Sequence, residues 1–329
     1  YIEKGFRKSN TGSRFLQSVS KPLAAGFALF GLLASSVGTP LVQSNTIAMS
    51  VNDAVLLFLP KAEQKTVCII AGAATAALVG IVILGGIQRI GKASEIIVPF
   101  MAIGYIAICI IVLSRFGSRI LPAFCDIFSS ALGIKQAVGG AAGFGAARAL
   151  RVGMARGVYS NEAGVGSAPM AHACANTNDP VKQGMYGIFE VFADTIVMCT
   201  MTALVVLASG IPLQAGGEIS GTSIALRAFS TVLPERTTGI FLAVSMLLFA
   251  YTSLLGWAVY GMQCAKYLFG KRAQVPFCIL YTVLTFAGAL MKVDFVWTAG
   301  ETLNYLMAAP NMLALLVLNR EVRRETAFA

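Results

Sequence analysis

The chain has 329 residues, 57% of them hydrophobic and 12% charged, with a formal net charge of +10 and a mean hydropathy of +0.75. Soluble domains average about 45–50% apolar and about 25% charged residues, so a soluble enzyme or binding module is excluded and a bilayer-embedded bundle is expected. The basic surplus could mark a nucleic-acid partner in a soluble chain, but in a membrane protein it belongs to cytoplasmic loops.

Residues Tyr1 to Arg14 are polar and charged and lack the basic start, short apolar stretch and cleavage site of a signal peptide. Residues 1–21 read as a cytoplasmic loop, and the chain reads as a fragment that begins in it. A helix crossing about 30 Å of hydrocarbon needs roughly 20 mostly apolar residues. Eight stretches qualify in chain order. They run from Pro22 to Ser50, Val67 to Gln88, Ile96 to Leu113, Lys135 to Ala173, Met185 to Ala208, Thr238 to Gln263, Val275 to Met291 and Phe295 to Leu318. The first holds Gly38, Thr39 and Pro40 at its middle, and the fourth is rich in glycine. Two shorter amphipathic stretches, Ile120 to Leu132 and Thr222 to Leu233, read as interfacial or re-entrant helices. The transporter core therefore covers 22–318, and 319–329 reads as a cytoplasmic tail.

Alternate loops sort the basic residues. One set, which includes both ends of the chain, carries about fourteen Lys and Arg against about eight in the other, with three Arg left in the fourth span. The richer set is placed in the cytoplasm, and with an even number of spans both ends lie inside a cell (inner) membrane. This accounts for the net charge without nucleic acid. The seven cysteines show no CxxC spacing and read as small apolar residues.

The spans are not uniformly apolar. Glu190 and Asp194 share one face of the fifth, and Glu301 lies in the eighth. Intramembrane carboxylates are costly unless paired or hydrated, so they face a cavity, an ion or another polar group, or sit near the water interface. The sharpest stretch is RVGMARGVYSNEAGVGSAPMAHACANTNDP, Arg151 to Pro180, where five glycine and proline positions make a continuous helix unfavourable. Ser160, Asn161 and Glu162 fall between them. Irregular backbone at membrane depth is tolerated where protein buries it or it lines a cavity. Transporters use such breaks to bind a substrate carboxylate at half-helix N-termini and a cation at freed carbonyls. The competing reading is a loop between two re-entrant helices. Gln43, Ser44 and Asn45 follow Pro40 as a second polar patch. Thr252 and Ser253 form a hydroxyl pair ahead of Gly256 and Trp257. Paired hydroxyls can ligate a hard cation, or simply bond back to their own helix. No HExxH, CxxC or Walker sequence is present, and the single His172 has no nucleophile set around it, so no enzyme activity is expected.

These residues carry a resemblance. GVYSNEAGVGSAPMAHACANTNDPVKQG (Gly157 to Gly184), VFADTIVMCTMTALVVLASG (Val191 to Gly210), FAYTSLLGWAVYG (Phe249 to Gly261) and TLNYLMAAPNMLALLVL (Thr302 to Leu318) resemble the alanine or glycine:cation symporter family. VQSNTIA (Val42 to Ala48) and YIEKG (Tyr1 to Gly5) extend the likeness over essentially the whole chain. The resemblance implies an all-α polytopic membrane protein. Its core is an inverted-repeat, five-plus-five amino-acid transporter with one discontinuous helix among the eight spans here and the first spans missing. It implies sodium-coupled symport of a small neutral amino acid by alternating access. The coupling ion is Na⁺ or H⁺, the substrate alanine or glycine, and there is no resident cofactor or metal. It places Gln43, Tyr159, Ser160, Asn161 and Trp257 at the substrate, Tyr159 standing where the family usually has Phe, and Thr252 and Ser253 at the cation. A non-transporting sensor on the same fold and a channel subunit are the alternatives.

Overall fold

A computed structural model describes residues 1–8, 14–131, 142–212 and 221–327, all built from helices, turns and loops. Part of the first loop, the start of the expected fourth span (135–141, with Gly139), Leu132 and the last two residues lie outside the described residues. A short helix α1 (Ile2–Lys8) precedes α2 (Arg14–Leu33), which passes through a wide turn at Ala34–Gly38 into α3 (Thr39–Leu56). The wide turn has a local cause: Pro40 offers no N–H to the preceding turn, and the helix widens just ahead of it.

The chain continues through α4 (Gln64–Ile83), α5 (Ile87–Ser114) and α6 (Gly117–Ala131). Next come α7 (Ala142–Ser160) and the five-residue α8 (Ala168–His172). Helix α9 (Pro180–Val191) runs through a second wide segment, Phe192–Cys199, into α10 (Thr200–Ala208). Asp179 caps α9, its carboxylate accepting from the Val181 and Lys182 amides at 3.0 Å each. The chain ends with α11 (Gly221–Ser230), α12 (Glu235–Phe269), α13 (Gln274–Gly288) and α14 (Val293–Ala327). The stretches expected to be too short to span are α6 and α11, and both pack on α10.

Six stretches among the described residues are long and apolar enough to cross a membrane: Gln17–Leu56, Gln64–Ile83, Ile87–Ser114, Pro180–Ala208, Glu235–Phe269 and Gly300–Ala327. They correspond to six of the eight expected spans. The other two differ for physical reasons. Helix α13 has 15 residues, about 22 Å, and falls short of a hydrocarbon core on its own. The fourth is divided between α7 and α8 by irregular backbone.

Helix α12 is the axis of the bundle. Its Tyr251, Leu254, Leu255 and Ala258 meet Ile47 of α3, Val79 of α4 and Phe277 and Tyr281 of α13 in the largest core. Tyr281 is fully buried, and its hydroxyl donates to the Leu254 carbonyl at 2.7 Å. A second core joins α5, α6, α10 and α11 around Tyr105, Val205 and Phe229. The third ties α1, α2, α12 and α14 to the irregular segment through Phe6, Phe27, Trp257, Met307 and Val165. Large apolar side chains such as Ile70, Ile96, Phe100 and Leu316 point outward, as they do where lipid is the solvent.

Candidate functional site

Helix α7 stops at Ser160 and helical geometry resumes only at Ala168. Between them Glu162 has φ 48°, Gly164 74° and Gly166 87°. Gly164 and Gly166 supply left-handed backbone that residues with a Cβ adopt at a cost, so the reversal is written into the sequence. Glu162 adopts it without being glycine, a strained choice that neighbouring contacts must hold.

Side chains around the segment supply those contacts. The Glu162 carboxyl group accepts from the Ser167 hydroxyl and lies near the Trp257 indole. Trp257 is 6% exposed, and its ring meets Tyr260 edge-on with centroids 5.4 Å apart. Asn161 donates to the Gly157 carbonyl at 3.0 Å, and its side-chain oxygen accepts from Thr195, beside Asp194 in the wide segment Phe192–Cys199. The break is thereby joined to α9–α10 on one side and to α12 on the other. Asn311 of α14 donates to the Gly164 carbonyl at 2.8 Å.

On the far side of the break, the Tyr159 ring packs on Trp297 with centroids 5.7 Å apart, and its hydroxyl lies beside Gly300. Gly38 and Val42 of the first widened helix approach the same glycine. The Arg156 guanidinium stacks 4.9 Å over Trp297 and reaches Glu301 at 2.5 Å. Arg156 is 55% exposed and Glu301 24%, so the pair is partly solvated and its worth is modest. Arg156→Gln and Glu301→Gln are each expected to slow transport several-fold, with a coupling of about 1 kcal/mol in a double-mutant cycle of initial uptake rates. Fully additive effects would show that the pair does not act as a unit.

The residues expected from sequence are distributed as follows. Tyr159, Ser160 and Asn161 lie together at the end of α7, and Trp257 packs with Val165 of the segment that follows. Gln43 is half-buried on α3, one residue past Val42. Its neighbours serve the scaffold: Ser44 donates to the Thr285 carbonyl, and Asn45 to those of Gly288 and Met291 at 3.1 and 2.8 Å. Thr252 donates to the carbonyls of Leu248 and Phe249, and Ser253 to that of Phe249 at 3.0 Å. A hydroxyl that donates along its own helix keeps its oxygen lone pairs for a cation. Ser253 is four residues before Trp257 and shares its helix face.

Glu162, Thr195, Trp297 and Asn311 were not picked out as site residues by sequence. Asn311, a carboxamide after Pro310 in an apolar helix, was the readable signal. Glu190, one of the intramembrane carboxylates, lies 3.4 Å from His172 Nε2, whose Nδ1 is 2.7 Å from Gln183. His172 thus pairs with Glu190 where α9 follows α8.

Long apolar helices packed around an interrupted, polar-lined helix define a multi-pass membrane protein, and the family that it matches is one of transporters, not enzymes. The chain belongs to the sodium:alanine symporter family, whose model matches residues 1–327. It is similar to the sodium/alanine symporter AgcS of Methanococcus maripaludis, at 37% identity over 99% of this chain and 67% of that protein. It is similar also to the "Probable sodium/glutamine symporter GlnT" of Bacillus subtilis, at 33% identity over 98% of this chain and 62% of that one. The sodium/proton-dependent alanine carrier protein of Bacillus sp. PS3 is 30% identical over 87% of this chain and 65% of its own length. The chain spans roughly two thirds of the length of these relatives.

Proposed function

We propose that the protein containing this chain imports a small neutral amino acid, alanine or glycine, by symport with Na⁺ and alternating access. The observation that carries this reading is the unwound segment Asn161–Gly166, hydrogen-bonded to Thr195 and Asn311 and packed against Trp257. Unwound backbone at membrane depth offers N–H groups to a carboxylate and carbonyls to a cation, with little reorganisation on binding. The names of two relatives, which specify alanine, agree with it.

Tyr159, Ser160 and Asn161 would form one wall of the substrate site, Trp257 a second and Gln43 a third. Thr252 and Ser253 would contribute oxygens to the cation. Residues 1–21 and 319–329 would lie in the cytoplasm on either side of the core 22–318, as the loop charges favour. Coupling requires that cation and amino acid raise each other's affinity by one shared free energy.

The full-length protein in proteoliposomes should take up labelled alanine when an inward Na⁺ gradient is imposed. An excess of unlabelled glycine should compete and an excess of glutamine should not. Uptake that ignores Na⁺ would remove the coupling claim, and binding without uptake would favour a sensor. Ser253→Ala with Thr252→Val is expected to raise the half-saturating Na⁺ concentration about tenfold at unchanged maximal rate, the scale of one or two lost cation–oxygen contacts. An unchanged Na⁺ titration would place the cation elsewhere.

A further inference from the structure

The unwound segment is held from below by residues that the transport reading does not use. Tyr1 precedes α1, and its hydroxyl donates to the Asn311 side-chain oxygen, while the Asn311 amide donates to the Gly164 carbonyl at 2.8 Å. Asn311 is 2% exposed, so both ends of its carboxamide are committed inside the protein. The fit is close. A Cβ built on Gly166 would lie 2.6 Å from Asn311 Cγ and 2.7 Å from the Tyr1 hydroxyl oxygen.

Helix α1 is itself anchored. Ile2 and Phe6 are 2% and 4% exposed, Tyr1 meets Phe27 edge-on at 5.7 Å, and Tyr267 donates to Glu3 at 2.9 Å. Under α1 lies a cavity of about 490 Å³ lined by Tyr1, Ala24, Phe27, Met170 and Cys264 among others. Met170 belongs to α8, just after the break. The cavity thus lies between the unwound segment and the α1 face of the bundle.

We propose that Asn311 is a positioning residue for the unwound segment, oriented by Tyr1, and that the Tyr1–Asn311–Gly164 relay latches the α1 face shut beneath the substrate site. Releasing the relay frees the Gly164 carbonyl and lets α1 lift from α2 and α12, which widens the half-open pocket and uncovers Cys264. The site reached by this latch is the one assigned under the proposed function, and the latch rests on that assignment for its role in transport.

Cys264 is the reporter. It is 2% exposed, lines the cavity and sits 3.8 Å from Met170 sulfur. In the full-length protein carrying Cys264 as its single cysteine, purified in detergent, the rate of maleimide labelling should be slow. Tyr1→Phe, which removes one oxygen, and Asn311→Asp, which keeps the acceptor for Tyr1 but loses the donor to Gly164, should each raise it several-fold, the scale of one partly buried hydrogen bond. Equal labelling of the Tyr1→Phe variant and the parent overturns the latch, and so does faster labelling accompanied by general unfolding. Labelling needs no substrate, so a protein that fails to transport would remove the functional reading while the latch is still judged. In a protein that does transport, Tyr1→Phe should raise KM for alanine several-fold with kcat retained, because the closed state is less populated. A fall in kcat at unchanged KM would contradict it.

Discussion

Gly288→Ala is expected to remove most folded protein from the membrane fraction, and with it any uptake. The reason is backbone against backbone. A Cβ at this position would lie 2.5 Å from the Leu41 Cα and 2.8 Å from the Leu41 carbonyl oxygen. No rotamer change relieves such an overlap, so α13 must move away from α3. That movement also loosens the Asn45 bonds to Gly288 and Met291 and the Ser44 bond to Thr285. Overpacking a core typically costs about 1–3 kcal/mol, and each buried polar group left unpaired adds about 1–3 kcal/mol. Together these are a large part of the stability of most proteins. The measurement is a thermal melt of the detergent-solubilised protein followed by size-exclusion chromatography. Gly26→Ala is the control, since a Cβ there meets nothing within 4 Å, and it should melt at or above the parent temperature. Equal melting of the two variants would refute the close-contact account.

The role of Gly288 was not readable from sequence, and the contrast with Gly164 and Gly166 shows why. Those two sit among Ser160, Asn161 and Glu162 in an otherwise apolar stretch, so local composition announces a break. Gly288 sits in a small, apolar neighbourhood, and only its partner, 247 positions earlier in the chain, gives it meaning. The spans were legible for the same local reason: long apolar runs bounded by charges have one physical solution in a bilayer. Counting them was harder. Val275 to Met291 looked long enough, yet the helix ends at Gly288 where Asn45 of α3 bonds its last carbonyls.

The candidate site divides in the same way. Ser160 and Asn161 stand out through the break, whereas Tyr159 and Trp257 enter through resemblance. Glu162 was visible as a polar residue, but its tie to Trp257 joins elements 95 positions apart and follows from no periodicity. The hydroxyl pair at Thr252 and Ser253 was legible as a pair. Its local bonds to Leu248 and Phe249 are the alternative that sequence also offered, and they leave the oxygen lone pairs available for the proposed cation.

Trp257 is where scaffold and chemistry meet, and two substitutions there should separate them. Trp257→Ala deletes a side chain that is 6% exposed and packed with Ala34, Val165 and Met307. Emptying that volume costs about 3–5 kcal/mol and removes the packing that Val165 of the unwound segment leans on. Uptake should be lost and the melting temperature should fall by several degrees. Trp257→Phe keeps an aromatic ring against Tyr260 and removes only the N–H. Losing one neutral hydrogen-bond donor beside Glu162 is worth about 0.5–1.5 kcal/mol, so kcat/KM for alanine should fall several-fold while the melt stays near the parent. Glu162 at φ 48° depends on such contacts to hold its backbone. If the indole N–H fixes the unwound segment, Glu162→Gln in the Trp257→Phe background should add little to the loss already incurred. Independent, multiplicative losses from the two substitutions would mean that Trp257 acts on the substrate through its ring alone.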